Sequence, residues 1–83
     1  MIVNIYTIKD ELANSWGSLF LLNPTVIERS FKYMTQEMEK GDCEDRRIYL
    51  MGTYNTETGQ IMPCEPTMVY NLEEAKKNAS QNL

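Results

Sequence analysis

Residues 48–62 read IYLMGTYNTETGQIM, and whether they form one folded-back ribbon decides the fold. Ile48, Leu50, Gly52 and Tyr54 alternate with Tyr49, Met51 and Thr53, the two-residue period of a strand. NTETG, 55–59, supplies turn chemistry. Asn55 opens a type I turn, and Gly59 takes the positive φ of a G1-type bulge. Gln60, Ile61 and Met62 continue the second arm, and Pro63 ends it or sits at an edge. If Tyr54 pairs with about residue 60, Leu50 faces about residue 64. Gly52, inside the strand, implies a bulge or a close backbone approach. Residues 47–62 are therefore expected to be the central hairpin of a sheet.

Upstream, IVNIYTI, 2–8, is rich in β-branched and aromatic types. Ile2, Asn4, Tyr6 and Ile8 fall on one face and Val3, Ile5 and Thr7 on the other, so the strand reads as central. KDELANSWGS, 9–18, reads as a polar loop, with Trp16 anchoring it. LFLL, 19–22, reads as a short strand leading into a helix. Asn23 is a good N-cap and Pro24 suits the first helical position. Ile27, Phe31, Met34 and Met38 then make one apolar stripe. Glu28 and Lys32 are spaced to pair, Lys40 suits the last turn, and Gly41 suits a left-handed cap. The helix is expected over about 24–40.

Downstream, GDCEDRR, 41–47, reads as a charged connection and PTMVYNL, 66–72, as a last strand. EEAKKNASQNL, 73–83, is polar and too short for a stable isolated helix, hence a frayed helix or disordered tail. The expected architecture is α+β. A small, mostly antiparallel sheet of three to five strands carries one amphipathic helix, in a single domain over 1–72.

Composition narrows the function. The chain has 83 residues, 42% of them hydrophobic, and no apolar run approaches the roughly 18 residues of a membrane span. The N-terminus lacks the pattern of a signal peptide, so a cytoplasmic protein without membrane partners is expected. A chain this short buries a modest core, and a homodimer is expected to enlarge it. Two cysteines, Cys43 and Cys64, lie outside any CxxC motif and read as reduced thiols. With no histidine and two scattered cysteines a zinc site is not expected, a histidine-based triad is excluded, and no phosphate-cradling or dinucleotide motif occurs. The chain reads as a non-enzyme without cofactor or metal.

The formal charge of −4 argues against broad adhesion to nucleic acid, and no window is strongly basic. A local strip is still expected from Lys9, Arg29, Lys32, Arg46 and Arg47, with Tyr49 and Tyr54 as stacking rings. Aromatic faces stack on unpaired bases while neighbouring cations neutralise phosphates. The competing reading makes Tyr6, Tyr49 and Tyr54 core aromatics, with Arg46 and Arg47 an edge charge that blocks aggregation.

Three segments carry a resemblance to a known family. They are IYTIKD, 5–10, then NPTVIERSF, 23–31, and DRRIYLMGTYNTETGQI, 45–61. In this order and spacing the chain resembles the small nonstructural proteins of the gokushoviruses, single-stranded-DNA phages of the Microviridae. Asn55 stands where that family commonly has Asp, and the tail is longer. The resemblance implies a protein absent from the virion and made in the host cytoplasm. It further implies an accessory role in single-stranded-DNA genome replication and packaging, with single-stranded DNA as the partner. Contact with the replication initiator or the procapsid is also compatible. The alternative is a protein–protein adaptor or host-directed inhibitor that never contacts nucleic acid.

Overall fold

β1 runs from Ile2 to Asp10 in the computed structural model, which describes residues 1–81. Residues 82 and 83 of the expected polar tail lie outside the described residues. After β1 the chain folds straight back. The Asp10 carboxylate accepts the amides of Leu12 and Ala13 at 3.1 Å each, and Asn14 takes φ 52°. β2, Ser15–Leu22, then pairs antiparallel with β1. Much of the expected 9–18 loop is thus strand. A side-chain-capped turn closes the hairpin within residues 11–14, and Trp16 lands on β2 rather than in a loop.

Asn23 caps as its type dictates, accepting the Thr25 amide at 3.0 Å ahead of the 3₁₀ turn Pro24–Val26. α1 follows over Ile27–Glu37. Phe31 is buried, and Ile27, Met34 and Met38 pack beside it, the expected stripe. The expected helix end is corrected. Met38 is already extended, at φ −80° and ψ 142°, and Gly41 lies inside a further turn, α2, Lys40–Cys43. Leaving α1 early delivers Cys43 to the core at 1% exposure, a gain that outweighs the local glycine signal. Glu28 and Lys32 form no ion pair among the described residues.

β3, Arg46–Asn55, and β4, Ile61–Asn71, form the expected hairpin. At the turn the Asn55 side chain accepts the Glu57 and Thr58 amides at 2.9 and 3.3 Å, and Gly59 has φ 77°. The register is shifted from expectation: Tyr54 faces Ile61 and Leu50 faces Thr67. The expected arm and the expected last strand are one long edge strand. It carries Pro63 and Pro66, whose missing amides an edge tolerates.

All four strands are antiparallel, in the order β2-β1-β3-β4, so β1 is central as its two apolar faces imply. Tyr6 on β1, Phe31 on α1, Cys43 on α2 and Ile48 on β3 form the core with Leu72 of α3, Leu72–Gln81. Tyr6 and Phe31 meet edge to face with centroids 5.2 Å apart. Leu72 has no exposed surface, and burying such a side chain is worth about 1.5–3 kcal/mol. That anchor, with Lys76 Nζ donating to the Thr35 carbonyl at 3.1 Å, holds a polar helix that propensity alone would leave frayed.

Candidate nucleic-acid interface

Facing residues of antiparallel strands share a face, so the register sorts every side chain. Tyr6, Ile8, Phe20, Leu22, Ile48 and Leu50 pack into the core beneath the helices. A bulge interrupts the alternation of β3, because Gly52 pairs with Ile5 while Leu50 pairs with Tyr6. Ile48, Leu50, Gly52 and Tyr54 therefore do not share a face, as plain alternation required. Gly52 and Tyr54 turn to the opposite side, together with Tyr49.

That opposite side lies away from the core that the helices cover. Its last row reads Trp16, Lys9, Arg47 and Asn71 across the four strands. The next row reads Leu19, Thr7, Tyr49 and Met68, and the third reads Leu21, Ile5, Gly52 and Pro63. Val3, Tyr54 and Ile61 close the face. One end is thus basic and aromatic, and the remainder carries no charge at these paired positions.

At the basic end the side chains lock together. Lys9 Nζ lies 4.6 Å from the Trp16 ring centroid and 5.8 Å from that of Tyr49. The two rings meet edge to face at 5.0 Å. Such contacts each contribute on the order of 0.5–1.5 kcal/mol. The Tyr49 hydroxyl donates to Glu11 Oε1 at 2.7 Å, and Lys9 stands 3.9 Å from the same oxygen. That hydrogen bond, with burial and the Glu11 charge, raises the Tyr49 pKa above the ordinary tyrosine value; Arg47 partly opposes it. Trp16 is 44% exposed. Arg47, half-buried beside these rings, makes no hydrogen bond or ion pair among the described residues.

The structure brings Lys9, Arg47 and Tyr49 together and leaves the other expected site residues elsewhere. Arg46 turns to the opposite face, 3.5 Å from Asp10 and donating to the Glu44 carbonyl at 2.8 Å. Arg29 and Lys32 are exposed on α1, across the sheet from the cluster; Arg29 borders a groove with Tyr33, Met34 and Met38. Tyr54 shares the uncovered face but stands two rows beyond Tyr49, among Val3 and Ile61. Of the seven expected residues, Lys9, Arg47 and Tyr49 therefore cluster, and the other four stand apart from them. Tyr6 is core, 2% exposed, whereas Tyr49 and Tyr54 are not. Trp16 is the member that sequence reasoning missed. Its signal was the pairing of SWGSLFLL back onto β1, which puts an indole opposite Lys9.

No group of three or more potential metal ligands occurs among the described residues. Cys43 is buried, and burial, the largest influence, pushes its thiol pKa up; Cys64 is exposed. Among the described residues no helix is long and apolar enough to cross a membrane. The family model described as Phage ORF5 protein matches residues 3–75, most of the chain. No curated protein and no solved structure matches. The chain belongs to the Phage ORF5 protein family.

Proposed function

We propose that this member of the Phage ORF5 protein family is a non-virion accessory protein that binds single-stranded DNA during phage genome replication and packaging in the host cytoplasm. The observation that carries the reading is the half-exposed Trp16 ring in one cross-strand row with Lys9 and Arg47, whose guanidinium has no ion-pair partner among the described residues, on an uncovered sheet face. Single strands are bound by aromatic platforms on sheets, with neighbouring cations tracking phosphates. Lys9 contributes by stiffening the two rings more than by reaching outward, since its side chain is 15% exposed. The gokushovirus resemblance agrees with the phage family at the coarser level and supplies the replication and packaging context. Contact with the replication initiator or the procapsid fits the same surface.

The charge of −4 limits the electrostatic share, so stacking carries most of the affinity. One or two neutralised phosphates give a slope of log K against log salt of roughly −0.7 to −1.4. Trp16 is the only tryptophan, so its fluorescence reports stacking directly. Labelled oligonucleotides should quench it, with affinity falling as salt rises. Trp16→Ala should cost about 1–3 kcal/mol of binding. Arg47→Ala should flatten the salt slope by about 0.7. Arg29→Ala and Lys32→Ala should change little. Binding indifferent to Trp16, or to salt, refutes the reading. The adaptor or host-directed inhibitor reading is favoured by the uncharged rows around Ile5; a partner captured from infected cells irrespective of nuclease treatment would select it.

A further inference from the structure

A sheet that carries helices on one face needs a cover for the other if that face is apolar. Here it is apolar. Leu19, Leu21, Ile61 and Met68 are 64%, 50%, 60% and 49% exposed on the uncovered side. They lie on the outer strands β2 and β4 and flank Val3, Ile5 and Thr7, which are already buried in the single copy. Large apolar side chains gathered in the open on one face mark an interaction site. The one buried polar side chain beneath them is already satisfied from within: Thr7 Oγ1 donates to the Gly17 carbonyl at 2.9 Å. Nothing at these paired positions asks for water.

The dimensions agree. The Cα radius of gyration is 13.5 Å, against about 12 Å for a compact domain of this length. The thinnest extent is 16 Å, against a longest of 44 Å. The accessible surface is 5694 Å², where a monomer of this mass exposes about 5,100 Å². The molecule is an elongated slab whose sheet carries helices on one face.

We infer that the cover of this face is a second copy of this chain, stacked sheet against sheet through the rows of Leu19, Leu21, Ile61 and Met68, the exposed neighbours of the buried Val3, Ile5 and Thr7. Self-association meets the charge requirement, because those rows place no like charges opposite one another in a chain of net charge −4. Four large apolar side chains exposed on one face, all outside the Trp16 row, supply a sizeable part of the about 800 Å² that each partner gives to a standard interface. Two such faces pack about 10 Å apart with strands roughly aligned. The dimer leaves the row of Trp16, Lys9 and Arg47 outside the contact on each copy. It goes beyond the DNA-binding reading and does not depend on it.

Sedimentation of the full chain without DNA tests the inference. The expected mass is twice 9.7 kDa, dissociating on dilution. Ile61→Glu with Met68→Glu should raise the dimer dissociation constant at least tenfold while circular dichroism stays native, because both side chains lie largely in solvent in the single copy. Carbene footprinting of the unaltered chain is the second readout. Labelling of Leu19, Leu21 and Met68 should fall as concentration rises, while Leu12 and Tyr33, exposed outside these rows, stay labelled. A chain that stays monomeric at its highest soluble concentration overturns the inference. A dimer indifferent to both glutamates does so too, since that result selects pairing along the free edge of β2. Oligonucleotide quenching of Trp16 in the glutamate variant reads the DNA proposal separately.

Discussion

Replacing Gly52 with alanine should be the most damaging single-methyl change in the molecule. Gly52 sits at φ 149°, a backbone setting that residues with a Cβ rarely adopt. It also faces Pro63 across the β3–β4 ladder. An added Cβ would run into the Met62 carbonyl oxygen and lie 2.9 Å from Pro63 Cα, both of them backbone atoms that cannot swing aside. Backbone strain of this kind costs about 1–3 kcal/mol. Forcing β4 away costs about 1–3 kcal/mol more. Against a total stability of about 4–12 kcal/mol for 83 residues, the loss is large. Urea unfolding followed by circular dichroism, at one fixed protein concentration, should show a fall of about 2–6 kcal/mol. The melting temperature should drop by on the order of 10–50 °C. Gly41→Ala is the control. Its Cβ would meet nothing within 4 Å, and it sits in α2, where alanine gains about 0.5–1 kcal/mol. A Gly52→Ala chain within about 1 kcal/mol of the parent, at unchanged m value, refutes the close-approach argument.

Leu72→Ala should cost about 2–5 kcal/mol and release α3, read as loss of helical ellipticity together with faster amide exchange at 73–79. A disulfide exchange reagent should titrate Cys64 promptly and Cys43 only on unfolding, because Cys43 is 1% exposed and its pKa is raised chiefly by burial. Tyr49 should ionise at higher pH than an ordinary tyrosine, and Glu11→Ala should bring it back toward the usual value of about 10, followed by absorbance at alkaline pH. Because the folded value is the higher one, the contribution of Tyr49 to stability is fully present below the unfolded pKa. It is lost as pH rises through the folded pKa.

Much of the fold was legible because local signals and burial agreed. Asn55 and Gly59 made the turn they announce, Asn23 capped, and Phe31 led its stripe into the core. Where they disagreed, tertiary contacts won. Cys43 and Met38 broke α1 before Gly41, and Leu72 recruited a tail with little propensity of its own. The candidate site was harder to read for a specific reason. Side-chain direction in a strand flips with each residue, so one bulge after Leu50 sent Gly52 and Tyr54 to the far face. Likewise, the ten-residue segment 9–18 looked polar enough for a loop, and only the Asp10 turn, which no periodicity reveals, put Trp16 over Lys9.

The strand order also dictates a sequence of events during folding. β1 with β2, and β3 with β4, are ribbons of neighbouring residues whose short turns close within microseconds. Neither ribbon is stable alone. The seam between them joins Ile2 to Asn55 and Asp10 to Arg46, across the whole span that holds α1 and α2. Bringing those ends together is the slow entropic step, and a nascent chain holds only the β1–β2 ribbon until β3 has been made. Lesions along the Tyr6–Leu50 seam should slow refolding, whereas lesions confined to the outer edge of β4 should instead hasten unfolding.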